Sequence, residues 1–291
     1  MGTQWSLQIV TPPPDAAEVV EATLAALIAS MSHWEPSSAL SRVNAAPVGV
    51  WQAIPADLAK VLDAALAIGR LTGGAFDPAA GRLAELWGFG PSGPRAAAPP
   101  DGAIAALLDA AGPIERREGA VRRMGDVTLD LSGIAKGHAV DRVANALAAR
   151  GAQDLLVEIG GEFVGRGIRP DGQPWWVELE NPPGLALPPL RVAAHGVAVA
   201  TSGDYRRFIP AGARRLGHTL DPRTGYPIAN GVVSASVVAA DCMHADGWAT
   251  ALTVLGPEEG MTVAAREGLA ARIVLDSGRE VLSPALAVML G

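Results

Sequence analysis

Val127-Thr-Leu-Asp130-Leu-Ser-Gly133-Ile-Ala-Lys136-Gly137 opens the most regular stretch of the chain. Val127 to Leu131 alternates as a strand does. Lys136 to Arg150 reads as a helix, because Ala139, Val140, Val143 and Leu147 share one face and Gly151 fits the position just past the end. Leu155 to Ile159 reads as the next strand, and Gly160-Gly161 follows it. Downstream, β segments come in sequence: Trp175 to Leu179, Leu190 to Ala194, Val197 to Ala200, Tyr205 to Ile209, Arg215 to Leu220 and Val232 to Ala239. Turn signals such as Asp171-Gly172 and Ala211-Gly212 favour antiparallel neighbours. A helix from Met243 to Leu255 precedes the last strands, and Ser283-Pro284 starts a short terminal one.

Upstream, an opening strand ends at Pro12-Pro13-Pro14. Asp15 offers a helix cap with Glu18 three residues on, and Ala16 to Met31 follows as a helix. A second helix runs from Ala56 to Leu71 with one apolar stripe, Leu58, Val61, Leu62, Ala65 and Ile68, and Gly73-Gly74 ends it. A short helix covers Ala103 to Ala111. The whole reads as α+β, with largely antiparallel sheets and packed helices. The expectation is one domain over 1–291, with 88–100 as an internal surface loop rich in Gly, Pro and Ala. Gly88-Phe-Gly90-Pro-Ser-Gly93 in that loop has the GxGxxG spelling. It is not read as a dinucleotide site, because prolines follow where a helix would have to open.

The chain has 291 residues, of which 49% are apolar and 18% charged. That supplies a substantial core and excludes a disordered chain. A net charge of -7 without a long basic run argues against a nucleic-acid binder. An anionic ligand would have to be met by a metal or a few placed donors. Cys242 is the only cysteine, so no internal disulfide or Cys-rich zinc site can form, and a buried apolar role is the expectation for it. No apolar run reaches the roughly 18 residues of a membrane span.

Four polar clusters interrupt the apolar pattern. One is Ser41-Arg42-Val43-Asn44, behind Trp34-Glu35-Pro36-Ser37-Ser38. Another is Thr72-Gly-Gly-Ala75-Phe76-Asp77-Pro78. The third is Asp130 to Gly137. The fourth runs from Thr201-Ser-Gly-Asp-Tyr205 through His218-Thr219-Leu-Asp221-Pro-Arg-Thr-Gly225 to Asp246 and Thr250. Asp246 and Thr250 are four apart and share a helix face. A carboxylate and a hydroxyl are hard oxygen ligands suited to Mg²⁺. Equally, an aspartate near a helix N-terminus favours the dipole without any metal. The Asp130 to Gly137 turn offers free amides and Lys136 to a phosphate, or is an ordinary strand-to-helix turn with a surface lysine. His218 at a strand end is either a general base or a structural histidine. Trp34 either stacks on a ring or packs in a core.

Taken together and in order, these clusters resemble the ApbE family of FAD:protein FMN transferases nearly end to end. Met1-Gly2-Thr3, Ser38 to Asn44, Gly74 to Asp77, Leu86-Trp-Gly-Phe-Gly90, Asp130 to Gly137 with Asp141, Gly160-Gly161, Thr201 to Tyr205, His218 to Gly225 and Ala245-Asp246 with Thr250 carry the likeness. The resemblance implies a fold related to the T-fold, FAD as substrate and Mg²⁺ as metal. It implies that Met1, Trp34, Ala75, Phe76, Asp77, Asp130, Lys136, His218 and Thr219 line the FAD. It places the metal on Asp246, Thr250 and the backbone carbonyl of Gly133. Trp34 stands where many members have tyrosine, so stacking survives and a phenol is lost. Some relatives have another aspartate just before the metal threonine, where this chain has Ala249.

The reaction implied is phosphoryl transfer at the FMN-side phosphorus to a Thr or Ser of a client protein, with AMP leaving. His218, Lys136 and Asp246 are the expected catalytic residues. The rivals are an FAD pyrophosphatase giving FMN and AMP, and a non-catalytic FAD carrier. Many members are exported lipoproteins with a signal peptide and a lipidation cysteine. This sequence shows neither, so a cytoplasmic enzyme is the expectation, or a periplasmic one if the sequence is a piece of a longer chain.

Overall fold

In a computed structural model, residues 3–95, 97–204, 208–211 and 214–290 are described, the side chains of residues 210, 211, 214 and 215 excepted. Of the expected site residues, Met1 lies outside the described residues. The architecture is α+β with antiparallel sheets, as the sequence led us to expect. The chain groups into two compact units. One comprises Met1–Leu27, Gly133–Gly203 and Gly231–Gly291, and the other Ile28–Ser132 and Asp204–Asn230.

The first unit is built on a seven-stranded antiparallel sheet. Its order is Trp5–Ile9, Leu155–Ile159, Glu162–Arg166, Val197–Gly203, Val232–Ala239, Ala270–Leu275 and Glu280–Leu282. Successive side chains point to opposite faces, so the two faces carry different residues. On one, Leu156, Val199, Val238 and Ala270 form a core with the ribbon Trp175–Leu179 and Leu190–Ala194 and with Leu286 of the terminal helix. On the other, small residues such as Ala198, Ala200, Ala235 and Ala271 are wholly buried, and Cys242–Arg266 packs against the strands bearing them. Short side chains let that helix come close. The helix kinks at Gly256, whose φ is 82°, and Pro257 follows. The helical reading from the sequence stopped one residue earlier, at Leu255.

Two helices of this unit cap each other. Asp141, on Ala135–Ala148, accepts the backbone N–H groups of Cys242 and Met243, each at 2.9 Å. Asp246, on Cys242–Arg266, accepts the N–H of Gly137 at 2.9 Å. Ala135–Ala148 has no side-chain cap of its own, since Ile134 precedes it. Each carboxylate therefore meets the positive end of the other's helix. The approach is tight at Gly137, where a Cβ would fall 2.1 Å from the Cys242 carbonyl oxygen and 2.8 Å from the Asp246 Cβ. Gly137→Ala is expected to cost at least about 1–3 kcal/mol, the usual range for overpacking a close contact. Gly102→Ala, in the first turn of Asp101–Asp109 with open space around it, is expected to stabilise by roughly 0.5–1 kcal/mol. Urea midpoints of the two variants check the contrast.

The second unit packs Ala39–Ala45, Ala56–Leu71, Gly81–Trp87 and Asp101–Asp109 with a small sheet of Gln52–Ala53, Ala120–Arg123 and Ile114–Arg117. The hairpins Phe208–Ala211 with Arg214–Gly217, and Leu220–Asp221 with Tyr226–Pro227, complete it. The stripe read from the sequence on Ala56–Leu71 is buried throughout. A second core joins Leu83, Trp87, Phe89, Ile104 and Ile209.

Val127 to Leu131 is the main departure. It forms no named strand; among the described residues its isolated bridge is Ala80 with Thr128. Side chains take the place of a ladder. Asn44 donates to the Leu129 carbonyl at 2.9 Å and accepts its N–H at 2.7 Å, and buried Arg123 donates to the carbonyls of Val43, Ala46 and Val127. Val127, Leu129 and Leu131 are buried, which is what the alternation had registered. The GxGxxG stretch follows a helix, Gly81–Trp87, and no strand. Its Ser92 N–H turns to the Glu85 carboxylate of the same chain.

Candidate functional site

Four of the expected residues meet in the first unit. Gly133 ends the Asp130 turn, and its carbonyl oxygen accepts a hydrogen bond from the Thr250 hydroxyl at 3.3 Å. Asp246 stands one turn before Thr250 on the same helix and is 4% exposed. Lys136, at the start of Ala135–Ala148, sends its ammonium to Glu162, which is 1% exposed at the head of its strand. Burial pushes the Asp246 carboxyl up, against the pull of the Lys136 charge and of the Gly137 and Lys136 N–H groups. Burial alone would lower the Lys136 pKa; the charges of Asp246 and Glu162 outweigh it, and the net shift is upward.

Lys136 brings one positive charge to the carboxylates of Asp246 and Glu162. The oxygens nearest to hand are a carbonyl, a hydroxyl and a carboxylate, which is a hard-oxygen set suited to Mg²⁺. Among the described residues no group of three or more His, Cys, Asp or Glu has metal-ligand geometry. A cation here would thus rest on one carboxylate and neutral donors. Ala249, beside Thr250, is wholly buried and offers no further ligand. Cys242 is buried and its thiol is pushed well up by that burial, which makes it the inert apolar residue expected.

The remaining expected residues belong to the second unit. Trp34 is half exposed, while Trp87 is in the core. His33 lies beside Trp34, ring centroids 5.2 Å apart, and its Nδ1 is 3.4 Å from Asp130 Oδ1. Asp130 also accepts the Ser132 N–H at 2.8 Å, which fixes its carboxylate. Ala75 and Phe76 are buried. Asp77 accepts the Ala79 N–H at 2.8 Å and is exposed.

His218 and Thr219 follow the strand Arg214–Gly217. The His218 ring packs edge-on against Phe89, centroids 6.2 Å apart. Its Nδ1 is 3.8 Å from Asp204 Oδ1, and that same oxygen accepts the Thr219 N–H at 3.2 Å. Sequence reasoning did not single out Glu162, His33 or Asp204 as site residues. Asp204 stood within the quoted Thr201 to Tyr205 motif, but its partner lies 14 residues on. Glu162 and His33 carried no local signal at all.

The chain belongs to the ApbE family, whose pattern it matches over residues 1–273. A Klebsiella pneumoniae (strain 342) protein named FAD:protein FMN transferase is 34% identical, over 96% of this chain and 83% of its own. One of the same name from Haemophilus influenzae is 36% identical, over 89% of this chain and 78% of its own. The apo structure of the Pseudomonas stutzeri flavinyl transferase ApbE superposes with a TM-score of 0.91 at 34% identity, covering 100% of this chain and 94% of that one. The flavin transferase ApbE of Vibrio cholerae gives 0.90 at 33%, covering 99% and 96%.

Proposed function

We propose that this chain is a magnesium-dependent flavin transferase. It cleaves FAD, joins the FMN half through a phosphoester to a Thr or Ser of a client protein, and releases AMP. The observation that carries the reading is the cluster of Gly133, Thr250 and Asp246 beside Lys136, found in a member of a family whose relatives are named for this transfer.

Asp246, Thr250 and the Gly133 carbonyl would hold the metal, which supplies positive charge to the pyrophosphate. Lys136 adds a second positive charge, steadied by Glu162. Trp34 stacks on the flavin. His218 accepts the proton of the client hydroxyl as its oxygen bonds to the FMN-side phosphorus, while the bond to the AMP phosphate breaks. FAD, Mg²⁺ and candidate client proteins incubated together test the reading. Flavin fluorescence that stays with the client under denaturing conditions supports it. Bound FAD that is never cleaved would make the protein a carrier instead. On the same reading FAD binds more tightly than riboflavin in Mg²⁺, because the pyrophosphate and AMP are also held. Equal affinities by titration calorimetry would contradict that.

A further inference from the structure

The segment Gly217-His218-Thr219 is wrapped around the carboxylate of Asp204. Three observations define the arrangement. Asp204 Oδ1 accepts the Thr219 N–H at 3.2 Å. The same oxygen faces His218 Nδ1 at 3.8 Å. A Cβ on Gly217 would fall 1.8 Å from one carboxylate oxygen and 2.0 Å from the other, so only glycine leaves the carboxylate its place. Asp204 directly follows the strand Val197–Gly203, and its side chain is about one-fifth exposed. Burial pushes its carboxyl up, while Thr219 hydrogen bonds pull it back. Across the ring, the Phe89 edge limits how far the imidazole can turn.

We infer that Asp204 is a positioning residue for His218. Through Nδ1 it sets the orientation of the imidazole, and it stabilises the imidazolium formed when the proton arrives. The inference rests on the proposed base role of His218 and deepens it. A carboxylate behind a histidine sets tautomer and orientation and makes the imidazole more basic. The distance of 3.8 Å is longer than a hydrogen bond, and such contacts tighten when substrate is bound.

The test uses Asp204→Asn, which keeps shape and removes charge, and Gly217→Ala, which displaces the carboxylate. His218 is titrated by NMR in the free proteins, its resonance assigned with His218→Asn. Transfer rates are measured with FAD, Mg²⁺ and the acceptor found by the fluorescence assay. Loss of the negative charge is expected to move the His218 midpoint, and the rising limb of the rate profile, to lower pH. The rate constant for transfer should fall by on the order of 10²-fold, as for a misplaced catalytic group, with the FAD KM unchanged. Gly217→Ala should reproduce both effects. A His218 midpoint and pH profile that stay at the wild-type position, with only Tm altered, would make Asp204 purely structural. If instead His218→Asn transfers at the wild-type rate, the base reading fails by itself, and the positioning role falls with it.

Discussion

Asp246→Asn should leave a folded protein that does not turn over. The amide keeps an oxygen that can accept the Gly137 N–H, so the cap on Ala135–Ala148 survives. What disappears is the charge. A carboxylate in the shell of a divalent ion supplies charge that a carbonyl or a threonine cannot replace. Asp246→Ala should abolish turnover as well, and should also lose the cap, at about 1 kcal/mol. The pair thus separates the two roles of one residue. The asparagine variant carries a stability consequence of its own. Burial raises the Asp246 pKa, so the folded state holds this proton more tightly than the unfolded chain does. This contribution to stability is present below the unfolded pKa and is lost as pH rises through the folded one. In metal-free buffer near neutrality, Asp246→Asn should therefore be at least as stable as the parent, and Mg²⁺ should raise the Tm of the parent alone. Thr250→Ala should be milder, since water can take over a neutral ligand's place. Full activity of Asp246→Asn at limiting Mg²⁺ would remove this residue from the metal.

His218→Ala should slow transfer by roughly 10²- to 10⁴-fold, the usual contribution of a general base. FAD affinity should change far less. Because the base must be neutral, the wild-type rate should rise with pH as the imidazole loses its proton and then level off. His218→Asn keeps size and some hydrogen bonding but cannot take the proton, so it should not recover the rate. A residue that merely positions FAD would behave in the opposite way. Asparagine would restore much of its function, and the pH profile would keep its shape. Single-turnover rates at saturating FAD and Mg²⁺ across pH separate the two.

Much of the fold follows from local pattern. Ala16–Met31, Ala56–Leu71, Leu155–Ile159, Trp175–Leu179, Leu190–Ala194 and Val232–Ala239 form over the residues whose periodicity marks them. Local pattern fails where the backbone is satisfied by something distant. Val127 to Leu131 alternates like a strand, yet Asn44 and Arg123 supply the hydrogen bonds that a ladder would. Ala39–Ala45 and Gly81–Trp87 are too short to show a helical stripe against their polar and glycine-rich neighbours. Ser38 caps the first, its side chain accepting the Ser41 N–H.

The site divides in the same way. Asp246 and Thr250 share a helix face, so spacing alone paired them. Their meeting with Gly133, more than a hundred residues earlier, came from the family resemblance, and the hydrogen bond from Thr250 to Gly133 brings the two together. Residues that tune other residues showed no role in the sequence, even where a family motif contained them. Glu162 under Lys136, Asp141 on the facing helix end and Asp204 behind His218 act across turns and between elements, where sequence has no period to show them. Ala75 and Phe76, assigned to flavin contact by family position, are buried.

The most direct measurement is the balance between AMP and covalent flavin in a single reaction. Protein, FAD and Mg²⁺ are mixed with a client, and AMP is quantified by chromatography while client-bound FMN is located by mass spectrometry. A flavin transferase gives equal amounts of the two, with FMN on a Thr or Ser and little AMP when the client is left out. AMP that accumulates to the same extent without a client, and without flavin on any hydroxyl, would make the protein a pyrophosphatase and contradict the account.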